Sequence, residues 1–292
     1  MPPSEPWTVG RLLSWTADYL EDQGSQTARL DAEVLLAEAL GCQRIELYTR
    51  FDEVPGDGPR AAFRELVRRR AAGEPVAYLV GRREFYSLSF RVTPAVLIPR
   101  PETEHLVIAL LDLARARAEE GPIAVADVGT GSGVIAVCAA KHLPDCRVTA
   151  IDTSPAALEV ARQNAADHGV ADRIDFIQSD LFASVDGAAT FDFVVSNPPY
   201  VADAEFEQLA PQVRRFEPRE ALLAGPRGTE VIERLVPQAA ERLRPDGYLL
   251  IEIGPVIHAA ARHILQSDPR LEPPQTIKDL ARQPRVLQAR QK

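Results

Sequence analysis

The stretch IAVADVGTGSG, residues 123–133, combines an almost wholly apolar strand with a turn that carries a glycine at every second position. A strand that is apolar throughout is typical of a parallel sheet covered on both faces. Glycines allow the backbone of a turn to approach a ligand and to direct its amides at that ligand. The stretch therefore predicts a strand of a parallel sheet, followed by a ligand-binding turn and a helix.

Strands and helices alternate from this stretch to the end of the chain. Six further segments have strand patterns, and most are separated by helical patterns: RVTAID (147–152), RIDFIQSD (173–180), FDFVVSN (191–197), YLLIEIG (248–254), QTIKDLA (275–281) and RVLQAR (285–290). The last two are close enough in sequence to pair antiparallel at an edge. This order predicts an α/β fold with a doubly wound, mostly parallel sheet of seven strands.

The chain before the sheet region has a different organisation. Residues 1–74 carry apolar residues at helical spacing and predict a small all-helical domain. Residues 86–92 alternate between apolar and polar, which predicts a strand of a β-hairpin. Together with the prolines that follow, residues 75–101 form a predicted β-hairpin and proline-rich linker. Residues 102–292 then make up the sheet domain.

The composition excludes several classes of protein. The chain of 292 residues has a net charge of −9, which disfavours nucleic acid as a partner because phosphate binding needs a concentrated basic surface. No apolar run approaches the ~18 residues that span a membrane, and because MPPSEPWTVG has no basic region before an apolar core, we expect no secretory signal. The three cysteines and five histidines lack the spacing of a disulfide framework or a metal site. We expect a cytoplasmic protein with no metal, membrane segment or direct nucleic-acid binding.

An acidic residue ends the strand after the glycine turn. Asp152 lies 23 residues beyond Gly129, a spacing at which a carboxylate can accept both ribose hydroxyls of a nucleoside ligand. The alternative is that Asp152 caps the helix that begins near Ser154. A dinucleotide fingerprint would need its third glycine at Val134, so the sequence favours another nucleoside ligand, with a plain tight turn as the remaining alternative.

The next strand also ends on a polar group. In QSDLF, residues 178–182, Asp180 could accept a hydrogen bond from an amino group, and Leu181 or Phe182 could lie against a flat base. Ligands of open α/β sheets bind at the carboxyl ends of the strands. Polar residues at three such ends therefore predict a single nucleoside site.

The motif NPPY, residues 197–200, predicts a second binding element beside that site. Both prolines have φ fixed near −65° and lack an N–H, and Pro198 holds Asn197 extended. The Asn197 side-chain oxygen and a neighbouring backbone carbonyl can then accept both hydrogens of one planar NH₂ group. Tyr200 supplies a flat face for the rest of a planar substrate. An ordinary turn would not explain these four residues together.

The glycine turn, Asp152 and NPPY together resemble S-adenosylmethionine-dependent methyltransferases that act on planar amino or amide nitrogens. With the further segments GEPVAYLVG, FYSLSF, LIPRPETE, RFEPREAL, IEIG and KDLARQPRVL, most of residues 10–290 resembles the bacterial release-factor glutamine methyltransferases, the PrmC/HemK family. The chain departs from that family at Leu181, where some members carry Trp, and at Ser87, where Gly is usual.

The resemblance implies a Rossmann-like methyltransferase domain and specific roles for the motif residues. The residues that would bind S-adenosylmethionine are Gly129, Thr130, Gly131, Ser132, Gly133, Asp152, Asp180, Leu181 and Asn197. The product S-adenosylhomocysteine would leave the same site. The glutamine would be held by Asn197, Pro198, Pro199 and Tyr200, of which Asn197, Pro198 and Tyr200 would be catalytic. Glu102 or Thr103 would close over the cofactor, and the helical domain would dock the protein substrate.

The activity implied is methylation of N5 of the glutamine in the Gly-Gly-Gln motif of class I peptide chain release factors, by a monomer. Three alternatives stay open at this stage. The substrate could be a glutamine of a ribosomal protein, or the amino group of adenine or cytosine in DNA. DNA would require a basic channel and a recognition segment, and the long irregular segment 201–227 has few basic residues. A non-enzymatic cofactor-binding scaffold would not need NPPY.

Overall fold

The computed structural model describes residues 6–117 and 121–292, so the first five residues of the predicted helical domain lie outside the described residues. The chain divides into two compact units, the first running to Arg82 and including Pro211–Phe216, the second made of Arg83–Ala210 and Glu217–Lys292. The helical unit therefore extends eight residues beyond the predicted boundary at 74. It also includes a piece of the segment 201–227.

The first unit is helical, as predicted. Its helices in chain order are α1 (Val9–Asp22), α2 (Ala28–Leu40), α3 (Glu46–Thr49), α4 (Asp57–Ala71) and α5 (Val76–Val80), with the short helix Pro211–Phe216 added. Thr8 caps α1 by accepting from the amide of Arg11 at 3.2 Å. Gly41 ends α2 in a left-handed conformation, with φ 61°. The core is formed by Leu13, Leu20, Leu35, Leu36, Leu47, Phe63 and Val67.

A β-hairpin follows, with strands β1 (Arg82–Phe85) and β2 (Leu88–Arg91). The alternation from Tyr86 onward predicted a strand, but Tyr86 and Ser87 form the turn, with φ of 49° and 59°. Glycine adopts such left-handed conformations without steric cost, and two-residue hairpin turns of this kind favour it. The family that this chain resembles usually has glycine at position 87. The left-handed backbone conformation of the turn explains that preference.

The second unit contains the predicted sheet. The strands of the large sheet are β3 (Ile123–Val128), β4 (Cys146–Asp152), β5 (Ile174–Gln178), β6 (Phe191–Ser196), β9 (Leu243–Glu252), β10 (Gln275–Lys278) and β11 (Pro284–Arg290). A separate small parallel pair consists of β7 (Val201–Ala202) and β8 (Leu223–Gly225). The large sheet has the order β10-β11-β9-β6-β3-β4-β5. Strand β11 is antiparallel to β9 and β10, and the other neighbours are parallel. The predicted seven-stranded, mostly parallel α/β fold is confirmed.

Helices cover both faces of this sheet. They are α6 (Glu104–Ala116), α7 (Val134–His142), α8 (Pro155–Asp167), α10 (Glu230–Arg242) and α11 (His258–Ser267); the label α9 is kept for Pro211–Phe216 of the first unit. Along β3, Val125 packs into the core under α6 and α7, whereas Ala126 and Val128 pack into the core under α10 and α11. Successive side chains of a strand face opposite sides, which is why β3 is apolar on both faces apart from Asp127.

The segment 201–227 was predicted to be irregular, and this was wrong. It contains β7, β8, α9 and 3₁₀ turns at Asp203–Gln208 and Arg219–Ala221. These elements are too short for hydrophobic periodicity to reveal them. Among the helices of the described ranges, none combines the length and the apolar character needed to cross a bilayer.

Candidate active site

A cavity of about 490 Å³ lies at the carboxyl ends of β3, β4, β5 and β6. This volume falls within the range of small-molecule sites. The predicted site residues that line it are Gly129, Thr130, Gly131, Ser132, Asp152, Asp180, Leu181, Asn197, Pro198 and Pro199. Thr103 lines it as well. The parallel sheet therefore gathers four strand ends, as the rule for open α/β folds requires.

The glycine loop is fixed by its own amides. Gly129 and Thr130 both donate to the carbonyl of Ile151, at 2.8 and 2.9 Å, and Gly131 donates to Asp152 Oδ2 at 2.8 Å. The expectation that the loop directs these amides at a ligand was therefore wrong, because they connect β3 to the end of β4. The glycines serve to bring the backbone itself to the cavity wall.

Gly133 lies behind the loop, at the start of α7. Its φ is 82°, and a Cβ atom at this position would lie 3.0 Å from the Cβ of Ala161 in α8. In the same contact, Asn164 of α8 donates to the carbonyl of Ser132 at 2.8 Å. Gly133 thus allows α8 to pack closely against the loop.

Asp152 connects two loops through its carboxylate. Oδ2 accepts from Gly131, and Oδ1 accepts from the amide of Ser154 at 2.9 Å. The cap of α8 is Ser154, whose hydroxyl accepts from the amide of Ala157 at 3.1 Å. Each carboxylate oxygen can accept a second hydrogen bond. Asp152 lines the cavity, so its remaining acceptor capacity is available to ligand hydroxyls.

Asp127 stabilises the loop from inside, a role that the sequence analysis missed. Its side chain is fully buried in β3, and Oδ2 accepts from the Thr130 hydroxyl at 2.7 Å and the Ala136 amide at 3.1 Å. Burial raises the pKa of Asp127 to about 7, although these two hydrogen bonds oppose the shift. The available signal was a charged residue within an otherwise apolar strand.

Asp180 and Leu181 occupy the end of the third strand. Arg234 donates to Asp180 Oδ2 at 2.5 Å, with both side chains more than half exposed. Leu181 is buried and has a left-handed φ of 50°. Non-glycine residues in this conformation carry backbone strain and concentrate at ligand sites.

Asn197 is oriented by a residue far away in the sequence. Its Nδ2 donates to Oγ1 of Thr103 at 3.2 Å, and the two residues are 94 positions apart. Thr103 ends the 3₁₀ turn Pro101–Thr103 and is 2% exposed. The sequence suggested that Thr103 or Glu102 closes over a cofactor, and the structure places Thr103 on the cavity wall.

Thr103 in turn donates its hydroxyl proton to the buried carboxylate of Glu252, the last residue of β9. Burial raises the pKa of Glu252 to about 7; the Thr103 hydrogen bond, Arg285 and Arg100 oppose this, while Glu102 adds to it. One charge within YLLIEIG does not indicate a role, so Glu252 could not be selected from the sequence.

Tyr200 lies beside the cavity and not among its lining residues. A Cβ atom on Gly254 would come within 3.1 Å of the Tyr200 ring, so the absence of a side chain there makes room for the ring. Burial raises the pKa of Tyr200 to about 12, which keeps the phenol neutral. The ring therefore packs against Gly254 and the adjoining hydrophobic core.

Glu217 fixes the proline-rich segment. It is buried and accepts from the amide of Ile98 at 3.1 Å and from Arg100 Nη2 at 2.6 Å. Arg100 lines the cavity. Glu217 belongs to the segment RFEPREAL, which contributed to the resemblance but was given no role from the sequence.

Comparisons with known proteins identify the family of the chain. Residues 11–81 match the family model described as PrmC N-terminal domain, and residues 109–214 match the model described as Methyltransferase small domain. The fold and the site thus define a methyltransferase. Among solved structures, the hMettl16 catalytic domain, crystallised with the MAT2A 3′UTR hairpin 6, has a TM-score of 0.53 at 17% identity, covering 77% of this chain and 81% of that one. That likeness concerns the fold alone.

Curated relatives define the family more closely. The release factor glutamine methyltransferase of Rhodopirellula baltica is 52% identical over 283 residues, which cover 97% of this chain and 96% of that protein. The release factor glutamine methyltransferase of Geobacter sulfurreducens is 44% identical over 250 residues, covering 86% and 85%. The chain belongs to the family of release factor glutamine methyltransferases. The alternatives of a ribosomal protein, DNA or a non-enzymatic scaffold are not favoured.

Proposed function

We propose that this protein transfers the methyl group of S-adenosylmethionine to the side-chain amide nitrogen, N5, of the glutamine in the Gly-Gly-Gln motif of class I peptide chain release factors, as a monomer in the cytoplasm. The observation that carries this proposal is the orientation of Asn197. Its NH₂ group is engaged by Thr103, which leaves Oδ1 and the carbonyls of the proline arch as acceptors for a substrate NH₂ group.

The residues of the cavity fit S-adenosylmethionine. The Asp152 carboxylate has acceptor capacity left for the ribose hydroxyls, and Leu181 offers a buried apolar face for adenine. Asp180 would accept from the adenine amino group while it remains paired with Arg234. The cofactor would supply a methyl group on a cationic sulfonium and leave as S-adenosylhomocysteine.

Asn197 and Pro198 act on the substrate nitrogen. An amide nitrogen is a poor nucleophile because its lone pair is delocalised into the carbonyl. Asn197 Oδ1 and the carbonyl of Pro198 accept its two hydrogens and so hold the nitrogen in one orientation. The same acceptors stabilise the positive charge that develops on nitrogen in the transition state. The proton leaves during or after methyl transfer.

The helical unit is proposed to dock the release factor. It has a cleft of about 460 Å³ whose lining includes Trp15, Tyr19, Arg60, Arg64 and Arg68. Trp15 is 52% exposed although it stacks on Tyr19, with 5.2 Å between ring centroids. The three arginines follow one another at four-residue intervals along α4. Arg60 is paired with Asp57 and Arg68 with Glu65, so Arg64 is the cation that favours an acidic surface. We expect the cleft to take an apolar side chain of the release factor flanked by carboxylates.

Kinetics with an intact release factor and with a short Gly-Gly-Gln peptide test this docking. Arg64→Glu should raise KM for the release factor roughly tenfold, because a cation that favours the acidic partner is replaced by a repelling charge. The same substitution should leave KM for the peptide and for S-adenosylmethionine unchanged. Leu280→Ala, at a fully exposed apolar residue of the other unit, is the matched control. An equal rise for factor and peptide would reject the docking role.

The methylation itself is tested by incubating the protein with labelled S-adenosylmethionine and, separately, release factors, ribosomes and DNA. Label should appear only on the release factor. A release factor with its motif glutamine changed to glutamate should be methylated on the order of 10⁴-fold more slowly or not at all, because a carboxylate offers no hydrogens to the acceptors. Label on a ribosomal protein or on DNA instead would reject the proposal.

A further inference from the structure

Glu252 is a buried carboxylate for which methyl transfer has no evident use. It is 1% exposed and does not line the cavity. One of its oxygens accepts from Thr103, and Oε2 has no hydrogen-bond partner among the described residues. Burying a carboxylate with a single hydrogen bond is unfavourable.

The hydroxyl of Thr103 links this carboxylate to Asn197. A hydroxyl has one proton, so a Thr103 hydroxyl that donates to Glu252 can only accept from Asn197. The Asn197 atom that faces Thr103 must then be Nδ2, as the 3.2 Å contact has it. If Thr103 instead donated to Asn197, the amide would turn and direct its own NH₂ at the NH₂ of the substrate.

Sheet register brings these groups together. Ser196 of β6 pairs with Ile251 of β9, so Asn197 and Glu252 follow at neighbouring strand ends. Thr103 reaches the same place from the 3₁₀ turn before α6. The three residues come from separate parts of the chain: Thr103 from a 3₁₀ turn, Asn197 from the residue after β6 and Glu252 from the end of β9.

We infer that Glu252 is a positioning residue: by accepting the Thr103 proton it forces Thr103 to accept from Asn197 Nδ2, and this directs Asn197 Oδ1 towards the substrate amide. The use of this orientation in methylation rests on the proposed function. The orientation itself is a property of the free enzyme.

The protonation state of Glu252 should control this relay. Burial raises its pKa to about 7. The charged groups that act on it are Glu102, Arg100 and Arg285, and the Tyr200 phenol also faces it and remains neutral. When Glu252 is protonated it can donate to Thr103, which releases the Thr103 proton towards Asn197 and allows the amide to turn. The correct orientation is therefore favoured above a pH of about 7 and weakened below it.

Side-chain amide NMR of the free, full-length protein tests the relay without any substrate. The Asn197 NH₂ resonances, assigned by their loss in Asn197→Asp, should shift as the pH passes through about 7. The shift should disappear in Glu252→Gln, whose side chain does not titrate. Asn197 resonances that do not titrate in the wild type, or that still titrate in Glu252→Gln, would overturn the inference.

Single-turnover methylation tests what the relay contributes to the reaction. Glu252→Gln and Thr103→Val should each slow the reaction roughly 10-fold to 100-fold, as expected when an oriented acceptor is lost, with S-adenosylmethionine affinity within a few-fold of the wild type. The wild type should lose rate below a pH of about 7, and Glu252→Gln should lack this loss. Thr103→Ser keeps the hydroxyl and should recover most of the rate that Thr103→Val loses.

The double variant Thr103→Val, Glu252→Gln decides whether the two residues act as one unit. It should be no slower than the slower single variant, because residues that act through each other are not additive. Thr103→Val alone leaves the buried Glu252 charge without its hydroxyl partner and could therefore misfold. The double variant has no such charge, so it tests the relay even in that case. Fully additive losses would overturn the inference. If the wild type methylates no release factor, the proposed function fails, and the NMR titration still decides the orientation of Asn197.

Discussion

The two sides of the cavity are held in place by different kinds of interaction. On one side, the loop from Gly129 to Gly133 is fixed mainly by backbone amides, which bond to the carbonyl of Ile151 and to Asp152. On the other side, Asn197 is fixed by side chains, Thr103 and behind it Glu252. The first side depends on local backbone conformation, whereas the second depends on the chemistry of buried groups from distant segments.

This difference leads to distinct expectations for substitutions. The loop side faces the proposed position of the adenosine part of S-adenosylmethionine, so changes there should act on cofactor affinity. The Asn197 side faces the proposed position of the glutamine, so changes there should act on the rate of transfer. A substitution on either side that changed both quantities equally would contradict the division.

The largest effect is expected at Asn197. Asn197→Ala should slow single-turnover methylation by about 10²–10³-fold, because it removes a fixed acceptor from the transition state. Affinity for S-adenosylmethionine, measured by calorimetry, should stay within a few-fold of the wild type. A rate close to that of the wild type would remove Asn197 from the mechanism.

Asn197→Asp is the more specific companion to this experiment. It retains an acceptor oxygen but places a negative charge beside the cationic sulfonium. Cofactor binding should be equal or tighter, and turnover should still be slow, because the added charge stabilises the ground-state cation that methyl transfer consumes. Faster turnover than in Asn197→Ala by a large factor would indicate that only the oxygen acceptor matters.

A smaller effect is expected at Asp152. Asp152→Ala should weaken S-adenosylmethionine binding at least tenfold, from the loss of roughly 1.5–3 kcal/mol of hydrogen bonding to a charged acceptor. Ser154→Ala is the matched control, since it removes the cap of α8 and should lower stability by about 1 kcal/mol without a comparable loss of affinity. Equal affinity losses in the two variants would assign Asp152 a purely structural role.

The last effect expected is on stability and its dependence on pH. Burial raises the pKa of Asp127 and of Glu252 to about 7 in the folded protein, so both bind protons more tightly folded than unfolded. Their contribution is complete below their ordinary values of 3.8 and 4.5 and is lost as the pH rises through about 7. Urea unfolding should show this decline in the free energy of unfolding.

Glu252→Gln sharpens this measurement. The variant should flatten the decline by roughly 3 kcal/mol, because one of the two buried carboxyls no longer titrates. Asp127 would account for what remains. A decline as steep as that of the wild type would show that Glu252 ionises in the folded protein as readily as in the unfolded chain.

The sequence predicted those parts of the fold and site that depend on short-range patterns. Apolar periodicity predicted the seven strands, and the motif residues at their ends line one cavity, except Gly133 and Tyr200. The sequence did not predict that the amides of Gly129, Thr130 and Gly131 point into the protein, because glycine permits several backbone conformations and therefore several amide directions. It also missed the short elements of residues 201–227, where no periodicity can develop.

The sequence alone determined the class of fold and the strand ends at which the candidate site lies. Both depend on short-range properties: the alternation of strand and helix, the φ restriction imposed by two prolines, and the spacing between Gly129 and Asp152. Which side chain meets Asn197 was decided only by the tertiary structure. Thr103 lies 94 residues away, and Glu252 reaches it because β9 lies beside β6 in the sheet. Strand order and register set such contacts, and no spacing along the chain encodes them.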